Sequence, residues 1–408
     1  MCLTTNRPMS HSAAMPAGSP EPARSAPGSA VSLRAANQRR VLGLLLDRGD
    51  RPPATQAEIA RKTGLAAGTV STIVRDLAAA GIVTTVAGSG RRGTTVQLAR
   101  SAGLVAGVDF GHGHVGVAIS DMSGQVLCEG RQALPMGHTH TEGLRTARAM
   151  LDRLLQGVDD ERTVLRNIGM GLPAPLSDNV VMSSSILPGW TGVDAGEEAA
   201  AAFGVDVLID NDANLGALAE HRHGHGRGHA NVVFVKVSSG VGAGMILDNK
   251  LFRGTSGTSG EVGHLTLDEQ GPLCRCGSRG CLEAYTATGP ALAMMQEHLP
   301  GAGIDDVIEA ARHGNVAALR VFEDAGLHLG WGLAMVTNLI NPGVILIGGD
   351  MAHADELLLE SARLSMRRHV LAGTTTTPVR VAALGDRAPL IGALVLAIEA
   401  TDLVSSVA

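Results

Sequence analysis

Two hydrophobic patterns meet near residue 100, and in a chain of 408 residues they point to more than one domain. Before that point apolar residues recur at helical spacing in short blocks; beyond it they run in strand-length stretches. "VSLRAANQRRVLGLLLDRGD" keeps helical spacing from Val31 to Leu46 and stops at Gly49. "TQAEIARKTGL" opens on Thr55 with Glu58 in the capping-box position and closes at Gly64. "AAGTVSTIVRDLAAAGIV" sets Val70, Ile73, Val74 and Leu77 on one helical face and stops at Gly81. Two short helices joined by a glycine-containing turn are the helix-turn-helix signature. In "IVTTVAGSGRRGTTVQLAR" a strand, a glycine turn carrying Arg91 and Arg92, and a second strand follow, which reads as a wing.

From residue 103 the strands begin. "GLVAGVDFG", "HVGVAISD" and "QVLCEGRQAL" are apolar runs divided by turns, and the helical "TEGLRTARAMLDRLLQGV" leads to the strand "NIGMGL". A second round passes from "VDVLID" through the helix "NDANLGALAEH" into the glycine-broken strand pair "NVVFVKVSSGVGAGMILDNKLFRG". Helices fill 290–341, "GVILIGGD" is a strand ending in a Gly-Gly turn, and two more helices flank "PVRVAAL". Strands followed by helices, twice over, predict two α/β lobes with a cleft between them.

Charge divides at the same boundary. Residues 31–100 hold eleven Lys/Arg against four Asp/Glu, and residues 101–408 hold twenty against thirty-four, within an overall charge of −6. A basic module tethered to an acidic one faces a polyanion with the first only. The second helix of the motif then lies in the major groove, presenting Thr69, Ser71, Thr72 and Arg75 to base edges or phosphates. Arg91 and Arg92 reach phosphate or the minor groove. A protein-interaction winged helix with a solvated basic face is the bland alternative. Residues 1–30 are rich in Ala, Pro, Ser and Gly, lack an apolar signal-peptide core and read as a disordered tail. The longest apolar candidate, "WGLAMVTNLINPGVILIGG", is broken by two Asn and a Pro, so no membrane span and a cytoplasmic location are expected.

Three of the five cysteines fall in "GHLTLDEQGPLCRCGSRGCLEAY", with the spacing His264-x9-Cys274-x-Cys276-x4-Cys281. Three thiolates and one imidazole suffice for a closed tetrahedral zinc site, and Gly277 and Gly280 let the backbone wrap an ion at the tight Cys-x-Cys. A disulfide is disfavoured in the cytosol and leaves one cysteine over. A redox switch stays open, because zinc thiolates oxidise once metal is lost. Glu261 and Glu283 bracket the knot and, with the free ring nitrogen of His264, have the polarity to grip sugar hydroxyls; plain surface charge is the alternative. "HRHGHGRGH" at 221–229 reads as a mobile surface loop rather than a second metal site, and Cys128 as a core residue.

The chain after the tail resembles the ROK family of repressors, uncharacterised frames and sugar kinases, and "GTSGTSGEVGHLTLDEQGPLCRCGSRGCLEAY" carries its signature. The resemblance implies an α/β protein: an amino-terminal winged helix-turn-helix over 31–100, then a two-lobed, actin-like domain of the hexokinase (ribonuclease H-like) type over 101–408 that closes on a sugar. It makes His264, Cys274, Cys276 and Cys281 the ligands of a structural Zn2+ in a loop at 261–285. Glu261, His264 and Glu283 become sugar contacts. "DNDAN" at 210–214 looks like the catalytic segment, with Asn211 a sugar ligand and Asp212 the base that a kinase would use. "SSSILPGW" at 183–190 matches the sugar-side loop, with Ile186 where sugar kinases of the family carry Asn.

The phosphate side departs from the family's kinases. They begin with Asp-x-Gly-Gly-Thr-Lys; here "DFGHGH" keeps Asp109 and Gly111 but has His112, Gly113 and His114 in the last three places. The second phosphate loop, usually Gly-Thr-Gly, is Ser238-Ser239-Gly240. Phosphoryl transfer depends on positioning and neutralising phosphates, so these nucleotide loops read as degenerate, and ATP and Mg2+ are not expected. The reading is a sugar-responsive, DNA-binding regulator, a repressor released from operator DNA by a carbohydrate effector and acting as a homodimer or tetramer. The alternatives are an ATP-dependent sugar kinase carrying a DNA-binding arm, and a DNA-binding protein whose second domain only dimerises it.

Overall fold

The computed structural model describes residues 30–46, 52–87, 93–158, 164–182, 186–372 and 377–404. Residues 1–29 of the expected tail, and Arg91 and Arg92, lie outside the described residues.

The amino-terminal module runs α1 (Ala30–Leu46), β1 (Ala54–Thr55), α2 (Gln56–Thr63), α3 (Ala67–Ala79), β2 (Val83–Val86) and β3 (Thr95–Leu98). The Thr55 hydroxyl accepts the Glu58 N–H at 3.1 Å, and Gly64, at φ 70°, turns the chain out of α2. Val70, Ile73, Val74 and Leu77 are buried against Leu42, Leu45 and Ile59, as their spacing requires. The short β1, which the sequence pattern does not announce, pairs with β3 and completes a three-stranded sheet in the order β1-β3-β2. This is a winged helix.

Two five-stranded sheets follow with the same wiring. The first lobe contains β4 (Leu104–Phe110), β5 (His114–Asp121), β6 (Val126–Ala133), α4 (His140–Gln156), β7 (Leu165–Leu172), the hairpin β8 (Leu176–Ser177) and β9 (Val180–Val181), α5 (Ala195–Phe203) and β10 (Val207–Asn211). Its sheet order is β10-β7-β4-β5-β6. After α6 (Asp212–His223), the second lobe contains β11 (Val232–Val237), β12 (Val241–Leu247), β13 (Lys250–Phe252), α7 (Glu283–Thr286), α8 (Thr288–Met295), α9 (Ile304–Arg312), α10 (Val316–Ile340), β14 (Val344–Gly348), α11 (Glu356–His369) and β15 (Val379–Val381). Its order is β13-β12-β11-β14-β15. In each lobe three antiparallel strands meet two parallel ones, the central strands being β4 and β11.

The last helix, α12 (Ala388–Ala400), leaves the second lobe and packs on β4 and β7 of the first, beside α6. Glycines let it approach so closely. A Cβ on Gly169 would lie 2.0 Å from the Ala393 carbonyl oxygen, and one on Gly392 2.0 Å from that of Leu215. Beyond these contacts α12 and the residues after it reach the winged helix: Ala397, Ile398, Leu403 and Val404 share one apolar cluster with Val41, Leu42 and Leu45, and Arg39 pairs with Asp402 at 2.9 Å.

The His-rich segment is not a mobile loop: residues 221–223 end α6 and the rest is an anchored turn, where buried Glu220 accepts the His225 N–H at 2.9 Å and also the Leu384 N–H at 2.7 Å. Cys128 is half-buried on β6, the outer strand of its sheet, rather than in the core. Among the described residues no helix is long and apolar enough to cross a membrane.

Candidate ligand cleft and metal-ligating cluster

A cleft of about 550 Å³ lies between the lobes. Its floor is the junction of β10 and α6. Asn211 caps α6, its Oδ1 accepting the Ala213 N–H at 2.9 Å while its Nδ2 donates to the Ala174 carbonyl at 3.1 Å. Asp212 opens the helix with its side chain only 7% exposed, and Lys236, rising from β11, sets its Nζ 2.6 Å from Asp212 Oδ2. Burial works to lower the Lys236 pKa, but Asp212 and Asp109 outweigh it and hold the ammonium charged, above its ordinary range. Asp210 is turned the other way, onto Arg253 at 2.7 Å and Asn214 at 2.8 Å.

The cysteine knot forms one wall. The donor atoms of His264, Cys274, Cys276 and Cys281 lie within 4.8 Å of one another. Cys274 Sγ is 3.8 Å from His264 Nδ1, and Cys276 Sγ is 3.7 Å from Cys281 Sγ. Metal–sulfur bonds of about 2.3 Å in a tetrahedron imply sulfur–sulfur edges of about 3.8 Å. The Cys276–Cys281 edge matches, and it is far longer than the roughly 2.05 Å of a disulfide. Gly277 and Gly280, at φ 91° and 61°, make the turns that fold the cysteines inward.

The knot then aims three side chains into the cleft. With Nδ1 turned to the sulfurs, His264 points Nε2 toward Glu261 Oε2, 4.0 Å away. Burial, reinforced by Asp212 and Glu283, pushes the Glu261 carboxyl up to about 7. Glu283 is held on both oxygens: Arg275 Nε donates to Oε1 at 2.8 Å and the Val241 N–H to Oε2 at 2.9 Å. Arg275 also donates to the Ser239 carbonyl, so the residue between two cysteines ties the knot to the former phosphate loop. A carboxylate offers about four lone-pair sites, which leaves Glu283 capacity for a ligand.

On the side of the two altered loops the chain's own side chains brace one another. The His114 imidazole lies over Gly111, where any Cβ would come within 2.0 Å of it. Arg131 Nη2 approaches His114 Nδ1 at 3.2 Å; burial, Arg131 and Lys236 push the imidazole pKa down to about 4, so it stays neutral. His112 Nδ1 sits 3.3 Å from the Ile186 carbonyl, joining the first phosphate loop to the sugar-side loop. Ser238 Oγ accepts the Asp350 N–H at 3.0 Å, drawing the second phosphate loop onto the Gly348–Gly349 turn.

Asp109, Gly111, Asn211, Asp212, Ser239, Gly240, Glu261, His264 and Glu283 thus line one cleft, together with Cys276 at its mouth. Sequence reasoning missed Lys236, Arg275 and Arg131. Only Lys236 left a signal, as a lone charge in the buried run "VVFVKV". On α3, Thr69, Ser71, Thr72 and Arg75 are all exposed on the face opposite Val70, Ile73, Val74 and Leu77.

Fold and site together define a two-lobed domain of the actin-like, hexokinase type joined to a winged helix. The chain belongs to the ROK family, whose profile matches residues 105–400, and a MarR family profile matches residues 34–93. It is similar to a xylose repressor of Caldicellulosiruptor bescii, 27% identical over 395 residues that span 91% of this chain and 98% of that one. A glucokinase of Streptomyces coelicolor is 30% identical over 321 residues, 73% of this chain and 98% of the enzyme. Among solved structures, a ROK family transcriptional regulator homologous to Escherichia coli MLC superposes with a TM-score of 0.76 at 25% identity, covering 92% of this chain and 99% of that chain.

Proposed function

We propose that this protein is a sugar-responsive transcriptional repressor. Its winged helix binds operator DNA through Thr69, Ser71, Thr72 and Arg75 of α3, and its cleft takes a carbohydrate effector. The observation that carries the reading is the path from cleft to DNA module: Asp212 opens α6, α6 packs on α12, and α12 with Asp402 meets the winged helix. The relatives matched over nine-tenths of the chain are regulators, whereas the glucokinase match covers 73% of it.

In this reading Asn211, Asp212, Glu261, His264 and Glu283 bind the sugar's hydroxyls, and closure of the lobes moves α6 against α12. The modules of a dimer then leave register with their half-sites. Coupling of this kind is on the order of 1–3 kcal/mol, and reflects different sugar affinities of the open and closed states. Zinc held by His264 Nδ1, Cys274, Cys276 and Cys281 supplies rigidity to the loop that aims Glu261, His264 and Glu283. Phosphoryl transfer is not part of the reading, because Asp212 is engaged by Lys236 and His114 occupies the turn that a nucleotide phosphate needs. The test is a panel of pentoses, hexoses and N-acetylated hexosamines titrated onto the protein bound to DNA from its own promoter. One sugar is expected to release the DNA; release by none removes the proposal.

A further inference from the structure

Asp109 at the end of β4 and Asp212 at the start of α6 are both buried in the cleft, and no hydrogen bond satisfies Asp109 Oδ1. Two carboxylates in one buried site repel each other unless a cation stands near both. Phosphoryl-transfer enzymes place a divalent ion at such carboxylates, where it bridges the phosphate oxygens. This chain places Lys236 there. Its ammonium is 2.6 Å from Asp212 Oδ2, and its charge acts on Asp109 as well. Mg2+ demands an octahedron of oxygens at about 2.0–2.1 Å. An ammonium at hydrogen-bond distance already takes one lone pair of Asp212 Oδ2, and its charge repels a second cation there.

We propose that Lys236 is the resident cation of the cleft: it takes the place of a divalent ion beside Asp109 and Asp212 and positions Asp212 as a fixed acceptor for the sugar. The effector then binds with neither metal nor nucleotide. The neighbouring side chains agree, since Arg131 and the Asp350 N–H already engage His114 and Ser238 of the two loops that hold phosphates in the family's kinases. Lys236 is a positioning residue that acts through Asp212, and this role rests on the sugar-binding reading above.

The experiment uses the full chain and Lys236→Met, with Mn2+ uptake read by electron paramagnetic resonance and sugar binding by calorimetry against D-xylose, D-glucose and N-acetyl-D-glucosamine. Mn2+ binds thiolate and imidazole sites weakly, so it leaves the cysteine knot alone. The wild type is expected to take no Mn2+ at the cleft and to bind its preferred sugar equally with and without it. Lys236→Met is expected to bind one Mn2+, lost again when Asp212→Asn is added, and to bind the sugar on the order of tenfold more weakly until millimolar Mn2+ restores it. A Lys236→Met protein that folds and takes no Mn2+ overturns the proposal. So does a wild type whose sugar affinity rises with Mn2+, a result that decides the matter even where the variant fails to fold. If no sugar binds the wild type, the repressor reading fails while Mn2+ uptake still decides the role of Lys236.

Discussion

Replacing Arg275 with alanine isolates the link between the cysteine knot and the cleft. The substitution removes the 2.8 Å bond to Glu283 Oε1 and the bond to the Ser239 carbonyl, leaving Glu283 with the Val241 N–H. Breaking a fully buried ion pair costs about 3–5 kcal/mol, but the Arg275 side chain is 33% exposed and water replaces part of the loss. The expected destabilisation is therefore about 1–2 kcal/mol. If Glu283 is a sugar contact, its released carboxylate no longer aims into the cleft, and about 1.4 kcal/mol of lost binding is a tenfold rise in Kd. Calorimetric sugar titration, thermal unfolding and metal content by chelator assay on the unfolded protein give three separate readouts. Arg275→Ala should weaken sugar binding roughly tenfold and lower Tm with metal content unchanged, because Arg275 offers no donor atom. Arg275→Lys should restore stability in part without restoring the two-pronged geometry. Unchanged sugar affinity in Arg275→Ala, with stability lost, refutes the aiming of Glu283 by the knot.

Three further outcomes are expected. Cys276→Ser should lower metal content and Tm together, and full metal loading removes Cys276 from the ligand set. Arg75→Ala should weaken DNA binding uniformly and reduce the salt slope by about one, and an unchanged slope removes Arg75 from the phosphate contacts. Asp109→Asn should change the pH dependence of stability. Burial pushes the Asp109 carboxyl from 3.8 up to about 6, against Lys236 and with Asp212. The folded state therefore holds more protons than the unfolded state between those values, and stability falls as pH rises through the window. Asp109→Asn should thus be the more stable protein by about 2–3 kcal/mol near neutral pH, with the gap shrinking by about 1 kcal/mol toward pH 5 in matched thermal or denaturant unfolding. A gap that does not vary with pH contradicts the shift.

The sequence pattern carried the local structure because local forces decide it. Thr55, Gly64 and the Val70–Leu77 face sit where their capping and spacing place them, and His264 with the three cysteines converges as its ligand spacing requires. What stayed hidden depends on long side chains and on chain paths set by distant packing. Arg275 has no periodicity and no motif, yet its guanidinium crosses to Ser239. The crossing of α12 to the first lobe depends on Gly107 and Gly169 lying under it and Gly392 within it, the last more than 200 residues from the first two. The anchored His-rich turn was misread because its hold comes from buried Glu220, which bonds to the turn and to Leu384 from the far end of the chain. Lys236 could have been found, since a charge inside an apolar strand requires a partner.

The coupling of cleft to operator is tested most directly by DNA-binding anisotropy on the full chain, with the effector sugar titrated against wild type and Asp212→Asn. The wild type should lose DNA affinity by about 5–150-fold at saturating sugar, while Asp212→Asn keeps its sugar-free DNA affinity and loses the response. An Asp212→Asn protein released by the sugar as readily as the wild type places the effector elsewhere and contradicts the cleft as the sensor.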